Sequence, residues 1–99
     1  MSLSWELYGK STFYGRLHLD HIDQPWFHCR FEPTEAFQEV QPLFEEEIRL
    51  LNSSGKIDEW ERSYETIDQL QLELRSTAEH SVITDFLLHI EGDSAWFRY

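Results

Sequence analysis

The chain has 99 residues, with 19 acidic and 8 basic side chains and a formal net charge of -11. This length fits one domain over residues 1–99. The acidity disfavours a nucleic-acid binder or an anionic-membrane binder, because both need clustered Lys and Arg. Hydrophobic residues make up 40% and aromatics 15%, too much for a disordered acidic tail, so a folded domain is expected.

Leu3, Trp5 and Leu7 alternate with polar neighbours, which predicts a first strand, and Gly9-Lys10-Ser11 reads as a turn. In a second strand Phe13, Gly15, Leu17 and Leu19 take one face and Tyr14, Arg16, His18 and Asp20 the other. Residues 21–25 read as a loop. In a third strand Phe27, Cys29 and Phe31 oppose Trp26, His28 and Arg30, and Pro33 ends it. Thr34 is a candidate helix cap, and Phe37, Val40, Phe44, Ile48 and Leu51 form a helical stripe. Pro42 either kinks this helix or starts a second one. Residues 52–55 (NSSG) stop it. Asp58 and Glu61 resemble a capping box for a further helix carrying Trp60, Tyr64 and Ile67 on one face, which ends near Asp68. Leu70, Leu72 and Leu74 alternate as a fourth strand, and residues 82–90 read as a fifth. Gly92-Asp93 is a type II′ hairpin turn leading to a last strand at 95–99. The expected fold is α+β, a two-layer sandwich in the order βββααβββ, with both helices on one face of an antiparallel sheet. The helical stretch, residues 32–79, carries a net charge of -9, against 0 for residues 1–31 and -2 for residues 80–99.

Centring the second hairpin on Asp23 sets Leu19 against Phe27, Leu17 against Cys29 and Gly15 against Phe31 on the helix side. On the other side it sets His18 against His28, Arg16 against Arg30 and Asp20 against Trp26. In the last hairpin Leu88 opposes Phe97 and Ile90 opposes Ala95 inside, while His89 opposes Trp96 and Leu87 opposes Arg98 outside. The face away from the helices then carries Tyr8, Tyr14, Trp26, Ile83, Leu87 and Trp96 with Arg16, Arg30, Arg98, His18, His28 and His89. Aromatics mixed with Arg mark the centre of protein interfaces. Tyr14, Arg16, Trp26, His28, Arg30, Trp96 and Arg98 are therefore the candidate partner-binding residues.

Catalytic signals are sparse. His18 and His28, side by side, would hold zinc with Asp20 or His21 as a third ligand, but the plainer reading is a solvated pair. Glu45, Glu46 and Glu47 read as a solvated helix face, and Cys29 falls on the core side as a small hydrophobe. The sequence has no Gly-rich phosphate loop, paired-Cys motif or nucleophile elbow. No cofactor is expected. The lone Cys29 excludes an intrachain disulfide and fits a reducing cytoplasm. No apolar run is long enough to span a membrane, and the first ten residues lack the pattern of a signal peptide.

Three functional readings follow. The first is a non-enzymatic interaction module that binds a protein partner or a second copy of itself through the aromatic and Arg face. The second is an acidic inhibitor or immunity-type protein that covers a basic partner with its helical segment. The third is a metal-dependent enzyme using His18 and His28.

The stretches FQEVQPLF (residues 37–44) and FLLHIEGDSAWFRY (residues 86–99), with Pro25-Trp26 before the third strand, resemble a set of small uncharacterised bacterial proteins of about this length. That resemblance implies a bacterial cytoplasmic origin and carries no activity, substrate or cofactor.

Overall fold

The structure, a computed structural model, describes residues 3–99. Strands β1 (Ser4–Gly9) and β2 (Thr12–Asp23) are joined by Lys10 and Ser11, both at positive φ (49° and 75°). Two positive φ values in a two-residue hairpin turn match the right-handed twist of the flanking strands. Strand β2 continues through residues 21–23, which the alternation assigned to a loop. Twelve residues at ~3.3 Å each span about 40 Å, and the longest dimension of the molecule is 41 Å. A two-residue turn, Gln24–Pro25, with a cis peptide bond between them, leads into β3 (Trp26–Pro33).

That short turn moves the register from the expected one. Leu17 pairs with Phe31, Leu19 with Cys29, Arg16 with Glu32 and His18 with Arg30. Two bulges in β2 then alter its parity. Against β1, Leu7 pairs with Gly15 and Tyr8 with Phe13, leaving Tyr14 as an extra residue. Against β3, Leu19 pairs with Cys29 and His21 with His28, leaving Asp20 extra. A bulge inserts one residue and reverses the in/out alternation beyond it. Tyr14 therefore turns into the core, at 8% exposure, and Phe13 turns out to stack on Tyr8 at 5.2 Å.

A 3-10 helix, Glu35–Glu39, precedes α1 (Gln41–Leu51) and α2 (Ile57–Asp68). Pro42 sits in the first turn of α1, where a missing N–H costs nothing, so it starts a helix rather than kinking one. Lys56 occupies the cap position of α2 with no side-chain capping bond. Asp58 thus acts in the first turn, beside the positive end of the helix dipole, and not as the expected cap. Strands β4 (Leu72–Ser76), β5 (Val82–Ile83), β6 (Leu87–Glu91) and β7 (Ser94–Arg98) follow. Leu70 falls in the turn before β4, and residues 84–86 break the expected 82–90 strand in two. Positive φ at Gly92 (60°) fits the II′ turn between β6 and β7.

The seven strands form one antiparallel sheet in the order β5-β4-β1-β2-β3-β7-β6. A flat sheet of this order would hold β5 and β6 roughly 29 Å apart. The four Cα steps from Ile83 to Leu87 reach at most about 15 Å. The sheet must therefore curl until its two edges approach, and it forms a half-barrel, not the flat layer of a sandwich. The hollow is filled by Trp5, Leu7, Leu17, Phe31, Leu74, Leu88 and Phe97 from the strands and by Phe37, Phe44 and Ile67 from the helical segment. Gly15 admits the Phe31 ring against β2, since a Cβ there would sit 2.7 Å from that ring.

Candidate site on the outer sheet face

The convex face of β2, β3, β7 and β6 is ordered into cross-strand rows. The central row is His21, His28, Trp96 and His89, one residue from each strand. His21 stacks on His28 at 4.6 Å and 6°, His28 faces Trp96 at 6.5 Å, and Trp96 faces His89 at 5.5 Å. One flanking row is His18, Arg30, Ser94 and Glu91. In the other, Asp23 pairs with Trp26, Leu87 pairs with Arg98, and the Arg98 guanidinium lies 5.4 Å from the Trp26 ring centre. A groove of about 340 Å³ runs between the first two rows, lined by His21, His28, Arg30 and Trp96 and by the acidic Asp20 and Asp93.

The arginines of the sheet divide into two kinds. Arg16 bonds Glu6 at 3.3 Å, and Arg75 bonds Glu73 at 2.9 Å while lying 3.8 Å over the Tyr8 ring. Arg30 and Arg98 are exposed and have no carboxylate partner among the described residues. They stand at opposite ends of the ridge made by Trp26, His28 and Trp96.

Five of the seven expected partner-binding residues, Trp26, His28, Arg30, Trp96 and Arg98, come together here. Arg16 reaches the outer face farther along β2 and is engaged with Glu6. Tyr14 is not on this face, because the bulge turns it inward. Ile83 is also internal, since it pairs with the buried Leu74 and packs against the core. His18 and His28 are not side by side. His18 pairs with Arg30 and its Nε2 lies 3.2 Å from Glu32, so the register that would have built a His18–His28 zinc pair does not form. His21 takes the place beside His28, with its Nδ1 2.9 Å from Asp20. Parallel rings aim their nitrogens side by side, not at a common point. No group of three potential metal ligands occurs among the described residues.

At the β6 end the row passes out of solvent. Glu47 and His89 are 0% and 3% exposed. His89 Nδ1 is 2.8 Å from Glu47 Oε1, and Trp60 Nε1 donates to Glu47 Oε2 at 2.6 Å. One carboxylate thus ties α1, α2 and β6 together, and Trp26 and Trp96 flank the imidazole at 5.6 and 5.5 Å. The three-glutamate run is therefore split: Glu45 and Glu46 face water, and Glu47 does not. The available signal was that Glu47 lies one turn from Phe44 on the core-facing side of α1. Cys29 is internal, and burial with the nearby Asp20 charge pushes its thiol up to about 12, which removes it as a nucleophile at neutral pH.

Among the described residues no helix is long and apolar enough to cross a membrane. Compared with protein-family models, curated proteins and solved structures, the chain matches none.

Proposed function

We propose that this chain is a non-enzymatic protein-binding module that docks through the outer face of β2, β3 and β7. The observation that carries the reading is the pair of exposed arginines, Arg30 and Arg98, with no carboxylate partner among the described residues, flanking a ridge of Trp26, His28 and Trp96. In a chain of net charge -11 an arginine has many carboxylates to meet. Two left open beside half-buried tryptophans make the composition of an interface centre. A bacterial cytoplasmic setting belongs to the same proposal, supported by a lone, buried cysteine that needs no oxidising compartment.

The test is chemical crosslinking of the purified chain in a cytoplasmic extract, with the captured proteins identified by mass spectrometry. The Arg30→Glu/Arg98→Glu variant should lose the wild-type contacts, and Glu45→Gln/Glu59→Gln should keep them. The second reading, an acidic coat covering a basic partner, draws on the exposed Glu45, Glu46, Asp58, Glu59, Glu61 and Glu65 of the helices. It expects the opposite pattern, with contacts that fall steeply as salt rises.

A further inference from the structure

We infer that the occupant of this face is a second copy of the same chain; the inference rests on the docking reading above and names its partner. Besides Arg30 and Arg98, the face exposes Asp23 and Glu91, which also have no ion pair among the described residues. With histidines neutral these four charges cancel, and the exposed Asp20 and Asp93 at the groove leave the face at -2 (two arginines against four carboxylates). Two chains of net charge -11 repel over most of their surfaces, and the electrostatic cost of approach is lower at this face than at the helical stretch, which carries -9.

The pattern is also self-complementary, and the register shows why. Arg30 neighbours Ser94 and then Glu91 in one row, and Arg98 neighbours Trp26 and then Asp23 in the other. A two-fold axis lying in the face and running across the strands exchanges the two rows. Arg30 then meets Trp26 of the second copy, next to its Asp23, and Arg98 meets Ser94 of the second copy, next to its Glu91. An axis running along the strands, between β3 and β7, exchanges the strands instead. Arg30 then comes beside Glu91 of the second copy and Arg98 beside its Asp23. Either isologous arrangement gives each arginine a carboxylate and sets the His28–Trp96 centre against its own image. An acidic partner would satisfy the arginines and repel Asp23 and Glu91, and a basic partner would do the reverse. A second copy supplies both signs in the required order by symmetry.

The patch spans four strands at ~4.8 Å and about five residues at ~3.4 Å, roughly 20 by 17 Å. That is roughly 340 Å² on each copy, below the ~1,000 Å² total of a stable complex, so the association is weak and transient.

Sedimentation equilibrium from about 1 µM to 1 mM, with circular dichroism to show that every variant is folded, tests this directly. The wild-type chain should pass from monomer to dimer across that range. Arg30→Glu/Arg98→Glu makes all four charges negative, and Asp23→Arg/Glu91→Arg makes all four positive. Each variant alone should stay monomeric at 1 mM, and an equimolar mixture should form a 1:1 heterodimer at least tenfold tighter than the wild-type dimer. A wild-type chain monomeric at 1 mM, or charge variants that dimerise as wild type does, would overturn the second copy as occupant. If crosslinked partners still depend on Arg30 and Arg98 in that event, the docking reading stands without it; if they do not, both fall.

Discussion

Glu47 and Glu46 are neighbours in sequence with different environments. The Glu47 carboxylate accepts from two N–H donors, His89 Nδ1 and Trp60 Nε1, out of contact with water. An amide at that position keeps an oxygen for Trp60 Nε1, but its NH₂ meets His89 Nδ1, so the imidazole must move to its other tautomer and both charge-assisted bonds become neutral ones. Exchanging two buried charge-assisted bonds for neutral ones costs roughly 1–3 kcal/mol. Glu46 is exposed and pairs with Arg49 on the same helix, where solvent screens the pair, so Glu46→Gln should leave the midpoint nearly unchanged. Urea denaturation of the two variants checks the contrast; equal midpoints would remove the buried anchor from the account. Three consecutive glutamates give no sign of this difference. It depends on how closely α2 and β6 approach one side of α1.

The helices also close an edge of the sheet. Leu88, His89 and Ile90 are all buried, although β6 is an edge strand. Its outward N–H at Leu88 donates to the Tyr64 hydroxyl at 2.8 Å, so α2 satisfies a group that would otherwise offer a pairing site to another chain. Burial pushes the Tyr64 phenol up to about 12, so it stays protonated at neutral pH. Tyr64→Phe leaves that N–H without a partner and should cost about 1–2 kcal/mol. Hydrogen exchange should quicken at the Leu88 amide by more than at Phe31 in the centre of the sheet. The Trp60, Tyr64 and Ile67 stripe was legible from its helical spacing, and so was the end of α2 near Asp68. The target of that stripe was not. Likewise, alternation located β2 and β3 but could not show the bulges at Tyr14 and Asp20. A bulge is decided by the partner strand, and one extra residue costs the local pattern nothing until pairing begins.

Over the whole molecule, acidity acts through position more than through total. Asp68 lies with Asp85 around a cavity of about 460 Å³. Burial, then the charges of Glu65 and Asp85, hold its carboxyl above the ordinary value of 3.8. A raised carboxyl is a penalty on the folded state when ionised. The penalty is absent below the unfolded value, grows as pH rises, and is complete above the folded value. Asp68→Asn should therefore raise Tm at pH 7, with the gain disappearing as pH falls below about 4. Thermal unfolding at a series of pH values reads this, and an equal gain at every pH would contradict it.

The amino-acid sequence alone determined the α+β class, most of the strands, both helices, the II′ turn at Gly92 and an outer face holding Trp26, His28, Arg30, Trp96 and Arg98. These follow from short-range rules: a period of two or of 3.6, a proline that cannot donate, a glycine that accepts positive φ. The tertiary structure decided the curl of the sheet, the pairing of His21 rather than His18 with His28, the inward turn of Tyr14 and the burial of Glu47. Each depends on residues distant in sequence meeting across the sheet or between helix and sheet. The three-residue link between β5 and β6 shows the reason: it is ordinary as a loop, and it forces a half-barrel only because the strand order places its two ends on opposite edges of the sheet.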